Sequence, residues 1–390
     1  MRKSLVLLHI AILAAGILLT AVPVIFGQPE KPAPVSVLTV KGVINPVSAE
    51  YLIEGITDAA DNGYQAVIIE LDTPGGLDDS MRDIIQTMIR VKIPVIVYVH
   101  PSGGRAASAG AFITIAADVA VMTPGTNIGA ASPVSIGETM DETMKAKVTN
   151  DAEAYITGLA NNNKRNAEIA RKMVTEAISI PSDEALSENI VDFIASDRAE
   201  LIEILNGTTI TAAKGNFTLQ LKGADIVENP MGFRFEFLYI LSNPNIAYIL
   251  MMLGIMGLYF ELSNPGTVLP GIIGGICLVL AFYSFQTLPV NYAGVLLILF
   301  AALLFILEIK APTHGFLAIG GVIALFFGSI LLFNTKVEFL RVSMKVILPT
   351  VIGVTLFFVL VILLAVRAYK RKLLNTLARY IITDKGAQLF

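Results

Sequence analysis

Five apolar runs crowd the last part of this 390-residue chain, at 246–262, 268–285, 292–309, 315–333 and 346–366, and they constrain the fold more than any other feature. Each is about 17 to 21 residues long, near the length a helix needs to cross the hydrocarbon core of a bilayer. A backbone in lipid must satisfy its polar groups internally, so such runs are helices there. Their links are short, which implies hairpins. Five crossings that begin outside end inside, where "RAYKRK" at 367–372 supplies the basic cluster expected at a cytoplasmic end. One loop runs against this count, because 334–345 carries Lys336, Arg341 and Lys345 yet falls outside.

The other end of the chain agrees with that orientation. Arg2 and Lys3 precede an uncharged stretch, 4–26, which closes at Gly27 before "QPEKPAP". Residues 1–27 therefore read as a signal peptide or an N-terminal anchor and 28–36 as a linker, and the region after them is placed outside the cytoplasm. Charge is split between the two parts. Residues 246–390 hold 10 Lys and Arg against 4 Asp and Glu, so the totals of 28 and 32 leave 18 against 28 for residues 1–245. That acidic balance argues against a nucleic-acid partner for the soluble region. The one cysteine, Cys277, lies inside an apolar run and excludes an intrachain disulfide.

Between the hydrophobic ends, strand-like and helix-like runs alternate. "VLTVKGVI", "QAVIIELDTPGG" and "IPVIVYV" are β-rich, and "SAEYLIEGITDAADN" and "SMRDIIQTMIRVK" have helical spacing. Repeated β-α-β units predict an α/β fold with parallel strands, whose functional groups gather on loops after the strands. Two glycine pairs stand at such places, Gly75 and Gly76 after the second strand and Gly103 and Gly104 after the third. The segment 206–226 alternates with many threonines and reads as a small β extension.

Within "GGRAASAGAF" (103–112), Ser108 is flanked by Ala106, Ala107, Ala109 and Gly110. Small residues allow a sharp strand-to-helix turn that exposes Oγ, with backbone N–H groups nearby to meet a developing oxyanion. The spacing departs from G-x-S-x-G at Ala106, and an alanine-rich helix start serves packing as readily as catalysis. A nucleophilic serine also needs a base. His9 lies in the N-terminal apolar segment, His314 in a loop on the predicted cytoplasmic side, and His100 only eight residues before the serine. A desolvated lysine is the other option, and Lys145 and Lys147 head a helix farther on. As residues alone, both also fit a solvated first turn. Glu261 and Glu308, at ends of apolar runs, read either as functional carboxylates or as groups reaching the interface. The glycines of "GIIGG" and "GGVIALFFG" suit close helix packing.

The motifs "ELDTPGG" (70–76), "IPVIVYVHPSGGRAASAG" (93–110), "TPGTNIGAASPV" (123–134), "KVTNDAEAYI" (147–156), "SDEALSENIVDFIA" (182–195), "GLYFELSNPG" (257–266) and "EIKAPTHGFLAIGG" (308–321) carry a resemblance. Together they resemble the membrane-bound serine proteases of the long-form NfeD family. The resemblance implies a Clp protease-like α/β domain of the crotonase-like fold at 37–205 and a β-rich linker at 206–243. It further implies an all-α, five-span membrane domain at 244–367 and a basic cytoplasmic tail at 368–390, without the OB-type barrel that long members usually carry. It implies Ser108 as nucleophile, Lys147 as base, Gly76 and Ala109 as the oxyanion hole, and Gly75 and Gly104 as substrate-binding positions. Pro133 stands where the Clp subunit has a histidine, which leaves a Ser-Lys dyad. No metal or other cofactor is implied. Expected partners are an apolar peptide or protein segment, a stomatin-like membrane protein, the lipid bilayer and further copies of the chain. The location implied is the cell membrane, multi-pass, with the protease domain extracytoplasmic. An inactive scaffold for stomatin-like proteins and a crotonase-type acyl-CoA enzyme are the alternatives.

Overall fold

The run "AVIIELD" is buried over almost its whole length, and in the computed structural model it forms a central strand of a six-stranded sheet. The structure describes residues 31–134, 141–263, 266, 268–310, 313, 315–333, 335, 337–361 and 363. The segment 1–27 with His9, the start of the linker, His314 and the tail from 364, with "RAYKRK", lie outside the described residues.

In chain order the α/β unit runs β1 (Val35–Lys41), α1 (Pro46–Asp61), β2 (Ala66–Asp72), α2 (Asp78–Arg90), β3 (Val95–Val99), β4 (Arg105–Ala107), α3 (Ala109–Ala116) and β5 (Val119–Met122). It continues through β6 (Asn127–Gly129), α4 (Glu142–Asn162), α5 (Ala167–Thr175), β7 (Ser179–Pro181), α6 (Ser182–Ser187), β8 (Phe193–Ile194) and α7 (Arg198–Leu205). The hairpin β9 (Thr209–Ala212) and β10 (Gly215–Thr218) precedes β11 (Ile226–Glu228). The main sheet has the order β11-β1-β2-β3-β5-β8, and every neighbouring pair in it is parallel. A second sheet, β4-β6-β7, stands beside it.

The alternation of side chains along a strand sorts them between two cores. Val67, Ile69 and Leu71 of β2 pack with Leu38 and Val97 on one face, while Ala66 and Ile68 pack with Val37, Ile96 and Tyr98 on the other. Burial on both faces is why these strands read as continuous apolar runs. The first crossover starts cleanly because Asn45 and Ser48 each accept the other's backbone N–H at 2.9 Å, with Pro46 at the first helical position. The segment expected as a linker is drawn into the domain, since β11 extends the main sheet beside β1. An edge strand of a parallel sheet offers backbone groups that a distant three-residue run can satisfy, and sequence spacing does not reveal that pairing.

After β11, α8 (Phe233–Leu241) lies across α1. Phe235 packs edge-on to Tyr51 at 6.0 Å, and the Tyr239 hydroxyl donates to the Val43 carbonyl at 3.3 Å. The apolar helices α9 (Pro244–Ser263), α10 (Leu269–Phe285), α11 (Tyr292–Lys310), α12 (Phe316–Leu331) and α13 (Met344–Val361) then coincide with the apolar runs of the sequence. The stretches Pro244–Leu262 and Met344–Val361 are long and apolar enough to cross a membrane, and the other three are shorter. Their outward faces expose Leu296, Phe300, Leu303 and Phe327, a surface suited to lipid. Glycine lets α9 and α10 meet closely, because a Cβ on Gly257 would sit 2.5 Å from the Pro270 carbonyl oxygen. Glu308 plays a local structural part, since its carboxylate accepts the N–H groups of Gly315 and Leu317, at 2.9 and 3.1 Å, where α12 begins.

One buried ion pair ties the hairpin to the sheet. Lys214 Nζ lies 2.6 Å from Asp118, with the two side chains 13% and 11% exposed, and Asp118 also accepts the Val95 N–H at 2.7 Å. Burial pushes the Asp118 carboxyl above its ordinary value, with Lys214 opposing, and pushes the Lys214 ammonium down, with Asp118 opposing. A raised carboxyl in the folded state binds its proton more readily than in the unfolded chain, so stability from this group rises as pH falls through the folded value. Lys214→Met removes the opposing charge. The variant is expected to lose the most stability at pH above the folded value of the Asp118 carboxyl and progressively less as pH falls through that value and Asp118 protonates. Thermal unfolding of the detergent-solubilised chain on both sides of that value checks this, and a deficit that grows on acidification would contradict it.

Candidate active site

Ser108 sits between β4 and α3 with φ 53° and ψ −117°, a conformation that side-chain-bearing residues seldom adopt. Its N–H donates to the Gly129 carbonyl at 2.9 Å, which holds it against β6. Its hydroxyl makes no cap bond to α3, so the helix start gives Oγ no local occupation. Ala109 opens α3, and N–H groups in the first turn of a helix have no partner within it.

The diglycine turn packs directly on this serine. A Cβ added to Gly75, at φ 120°, would lie 2.6 Å from Ser108 Cβ and 3.1 Å from its Oγ. Gly76 forms a parallel bridge with Ile44, in which Ile44 N–H donates to Gly75 and Leu77 N–H donates to Ile44, both at 2.9 Å. Alternation in a bridge turns the N–H of Gly76 to the opposite side. Nothing larger fits there, since a Cβ on Gly76 would stand 2.0 Å from the Ile44 carbonyl oxygen.

Ser108, Gly76 and Ala109 all line one cleft of about 340 Å³, so the structure brings three of the expected site residues together. Gly75 packs close to the serine but is not among the cleft's lining residues. Gly104 is not among the cleft's lining residues; its N–H donates to the Pro101 carbonyl at 2.8 Å in a tight turn beside Asp72. Lys147 lies on the exposed side of the second turn of α4, and the cleft is lined instead by the next residue, Val148, and by Asp151 and Ala152 one turn on. Lys145 is exposed as well. His100 is half-buried, with Nδ1 3.2 Å from the Thr123 hydroxyl and its ring stacked on Tyr98, and it does not line the cleft.

Other groups at the cleft escape a reading of motifs. Arg82 on α2 donates to Asp78 at 2.7 Å and to Asp151 at 2.5 Å, and its guanidinium lies 4.3 Å from the Tyr155 ring centroid. The pair locks α2 to α4 and occupies both carboxylates, so neither stands free as a base. Burial pushes the Tyr155 phenol above its ordinary value, with Arg82 opposing, which keeps it neutral. The i, i+4 spacing of Asp78 and Arg82 is legible in sequence, but the Asp151 contact is not. Val337, Phe339 and Leu340, from the loop between α12 and α13, also line the cleft. Among the described residues, no cluster of His, Cys, Asp and Glu could hold a metal ion.

A parallel α/β domain with a strained serine at a helix start beside a diglycine turn, followed by apolar helices, defines a Clp protease-like domain of the crotonase-like type on a membrane domain. Residues 34–228 match the profile of the NfeD1b N-terminal domain, and residues 245–364 match that of the NfeD integral membrane domain. The chain is 36% identical over 349 residues to the membrane-bound protease PH1510 of Pyrococcus horikoshii, covering 87% of this chain and 79% of the relative. It is 30% identical over 337 residues to the membrane protein NfeD1b of Bacillus subtilis, covering 84% and 73%. A solved structure of the 1510-N membrane protease specific for a stomatin homolog, from Pyrococcus horikoshii, is 33% identical with a TM-score of 0.48, covering 54% of this chain and 99% of that one. The chain belongs to the NfeD family of membrane proteins. This kinship supports a protease role.

Proposed function

We propose that the chain is a membrane-anchored serine endopeptidase with a Ser108–Lys147 dyad, acting on apolar segments, among them those of a stomatin-like membrane protein. The observation that carries this reading is the strained Ser108, whose Oγ has no cap bond and which lines a cleft together with Gly76 and Ala109. Backbone strain of this kind persists where function requires it. Ser108 Oγ attacks the scissile carbonyl carbon while neutral Lys147 Nζ takes its proton. The oxyanion formed is held by the N–H groups of Gly76 and Ala109. Collapse breaks the C–N bond, and Lys147 returns the proton to the leaving amine. Water then attacks the acyl-enzyme, losing a proton to Lys147, which passes it back to Oγ as the acid leaves. For this, the Lys147 side chain turns inward from its exposed position when substrate covers the cleft.

Ser108 and residues 337, 339 and 340 share one cleft, so an even number of crossings separates them. This supports a multi-pass arrangement in which α9 to α12 return the chain to the side of the protease domain, outside the cytoplasm. The exposed position of Lys147 favours one other reading, an inactive scaffold for a stomatin-like partner. Reaction of Ser108 with a fluorophosphonate in the full-length chain separates the two. The wild type is expected to be labelled at Ser108, Lys147→Ala to react ~10²- to 10⁴-fold more slowly, and Lys145→Ala to match the wild type. An unlabelled wild type that still binds a stomatin-like protein would establish the scaffold instead.

A further inference from the structure

Val337, Phe339 and Leu340 belong to the membrane part of the chain, yet they stand in the same cleft as Ser108. Val337 and Leu340 are 7% and 5% exposed, which shows how closely this short 3₁₀ turn, Glu338–Leu340, is packed. Phe339 is half-buried and borders open space on two sides, the serine cleft and a smaller crevice against Val43, Leu77 and Tyr239. The loop is also held at its far end, where Ser343 N–H donates to Asn245 Oδ1 at 2.8 Å, at the start of α9. Phe112 and Val148 add apolar surface to the same cleft.

We propose that this loop, carried by the membrane part of the chain, is the substrate-selecting wall of the active site, and that Phe339 seats the apolar side chains of the bound peptide. The inference rests on the peptidase reading of Ser108. Two features point to that substrate. The wall facing the serine is apolar along Val337, Phe339 and Leu340, so a polar peptide would lose its hydration there without gaining partners. The wall is also carried between two membrane helices, α12 and α13, which fixes the mouth of the cleft next to the bilayer. A segment emerging from the membrane reaches Ser108 without diffusing away, which raises its effective concentration. The soluble domain alone lacks this wall. The exposed Arg341 and Lys345 flank it, charges that orientation rules count against an external loop but that suit a surface beside anionic headgroups.

The test uses the full-length chain in lipid nanodiscs. In a Ser108→Ala background, a fluorescent apolar peptide is titrated with and without Phe339→Ser, beside a peptide whose apolar residues are replaced by serine. Phe339→Ser is expected to weaken apolar binding by about 10- to 100-fold and to leave the weak binding of the polar peptide unchanged. Phe339→Leu, which keeps an apolar side chain, is expected to lose less than about threefold. The thermal unfolding midpoint of each variant reports whether its fold survives. Apolar binding that is unchanged, or tighter, in folded Phe339→Ser would overturn the proposal, since the loop would then be a bystander or a plug. In chains that retain Ser108, kcat/KM for the apolar peptide is expected to fall in parallel with affinity. Binding that depends on Phe339 in a chain that never cleaves would uphold the wall and sink the peptidase reading. Cleavage indifferent to Phe339 would do the reverse.

Discussion

Ser108→Gly is expected to abolish acylation while making the α/β domain more stable. Oγ is the proposed nucleophile, and its removal is expected to cost at least about 10⁴-fold in kcat/KM, with only background reaction from the binding site left. The stability change has a separate origin. At φ 53° and ψ −117°, Ser108 holds a backbone conformation that costs about 1–3 kcal/mol for a residue with a Cβ, and glycine adopts it without that cost. Glycine also loses more freedom on folding, about 0.5–1 kcal/mol, so the net gain is about 1 kcal/mol, or about 2–4 °C in melting temperature. Ser108→Ala keeps the Cβ and therefore the strain, so it is expected to lose activity equally and gain no stability. Calorimetry and peptide cleavage on the three chains decide this. A serine retained for packing would show the opposite pattern, with Ser108→Gly less stable than the wild type.

The largest expected loss of stability belongs to Arg165→Met. The Arg165 side chain is 1% exposed, and its donors meet the carbonyls of Ile115, Ile190 and Ala117 at 3.2, 3.0 and 3.1 Å and Asp192 Oδ2 at 2.9 Å. Asp192 in turn accepts the Ala120 N–H at 2.7 Å, so one guanidinium ties the end of α3 and the start of β5 to the turn before β8. Breaking a buried pair leaves its partners unpaired and costs about 3–5 kcal/mol. Asp192 is 34% exposed and can hydrate when released, which places the expectation near the lower end, at about 3 kcal/mol. The melting temperature should drop by about 6–12 °C. Arg165→Lys is expected to recover only part, because one ammonium cannot span three carbonyls and a carboxylate. A drop under about 2 °C would show that the network is incidental. Because α3 begins at Ser108, the variant should also react more slowly with a fluorophosphonate at temperatures where it is still folded.

Several features were legible from the residues alone. The β-rich runs and the glycine pairs after them pointed to parallel α/β units, because strands covered on both faces must be apolar throughout and crossovers must come after them. The apolar runs after residue 245 pointed to membrane helices, since backbone in lipid has few ways to satisfy itself. "AASAG" and "TPGG" marked Ser108, Ala109 and Gly76, because a tight turn at a strand end depends on small residues that are local in sequence. Other features depended on contacts between distant segments. Gly104 has the same residue type and strand-end placement as Gly76, yet tertiary packing spends it on a turn against Asp72. The run Ile226–Glu228 reads as part of an extension and becomes a strand of the main sheet. Lys147 stands in the expected motif, but the helix face it shares and its exposure come from how α4 packs on Arg82 and Phe112. The loop 334–345 showed only its charges in sequence. That Val337, Phe339 and Leu340 share a cleft with Ser108 depends on how the four apolar helices α9 to α12 place the loop after them, and no local pattern of residues encodes that placement. Periodicity and turn chemistry act over a few residues and are written in the sequence, whereas the composition of the cleft is set by packing across the whole fold.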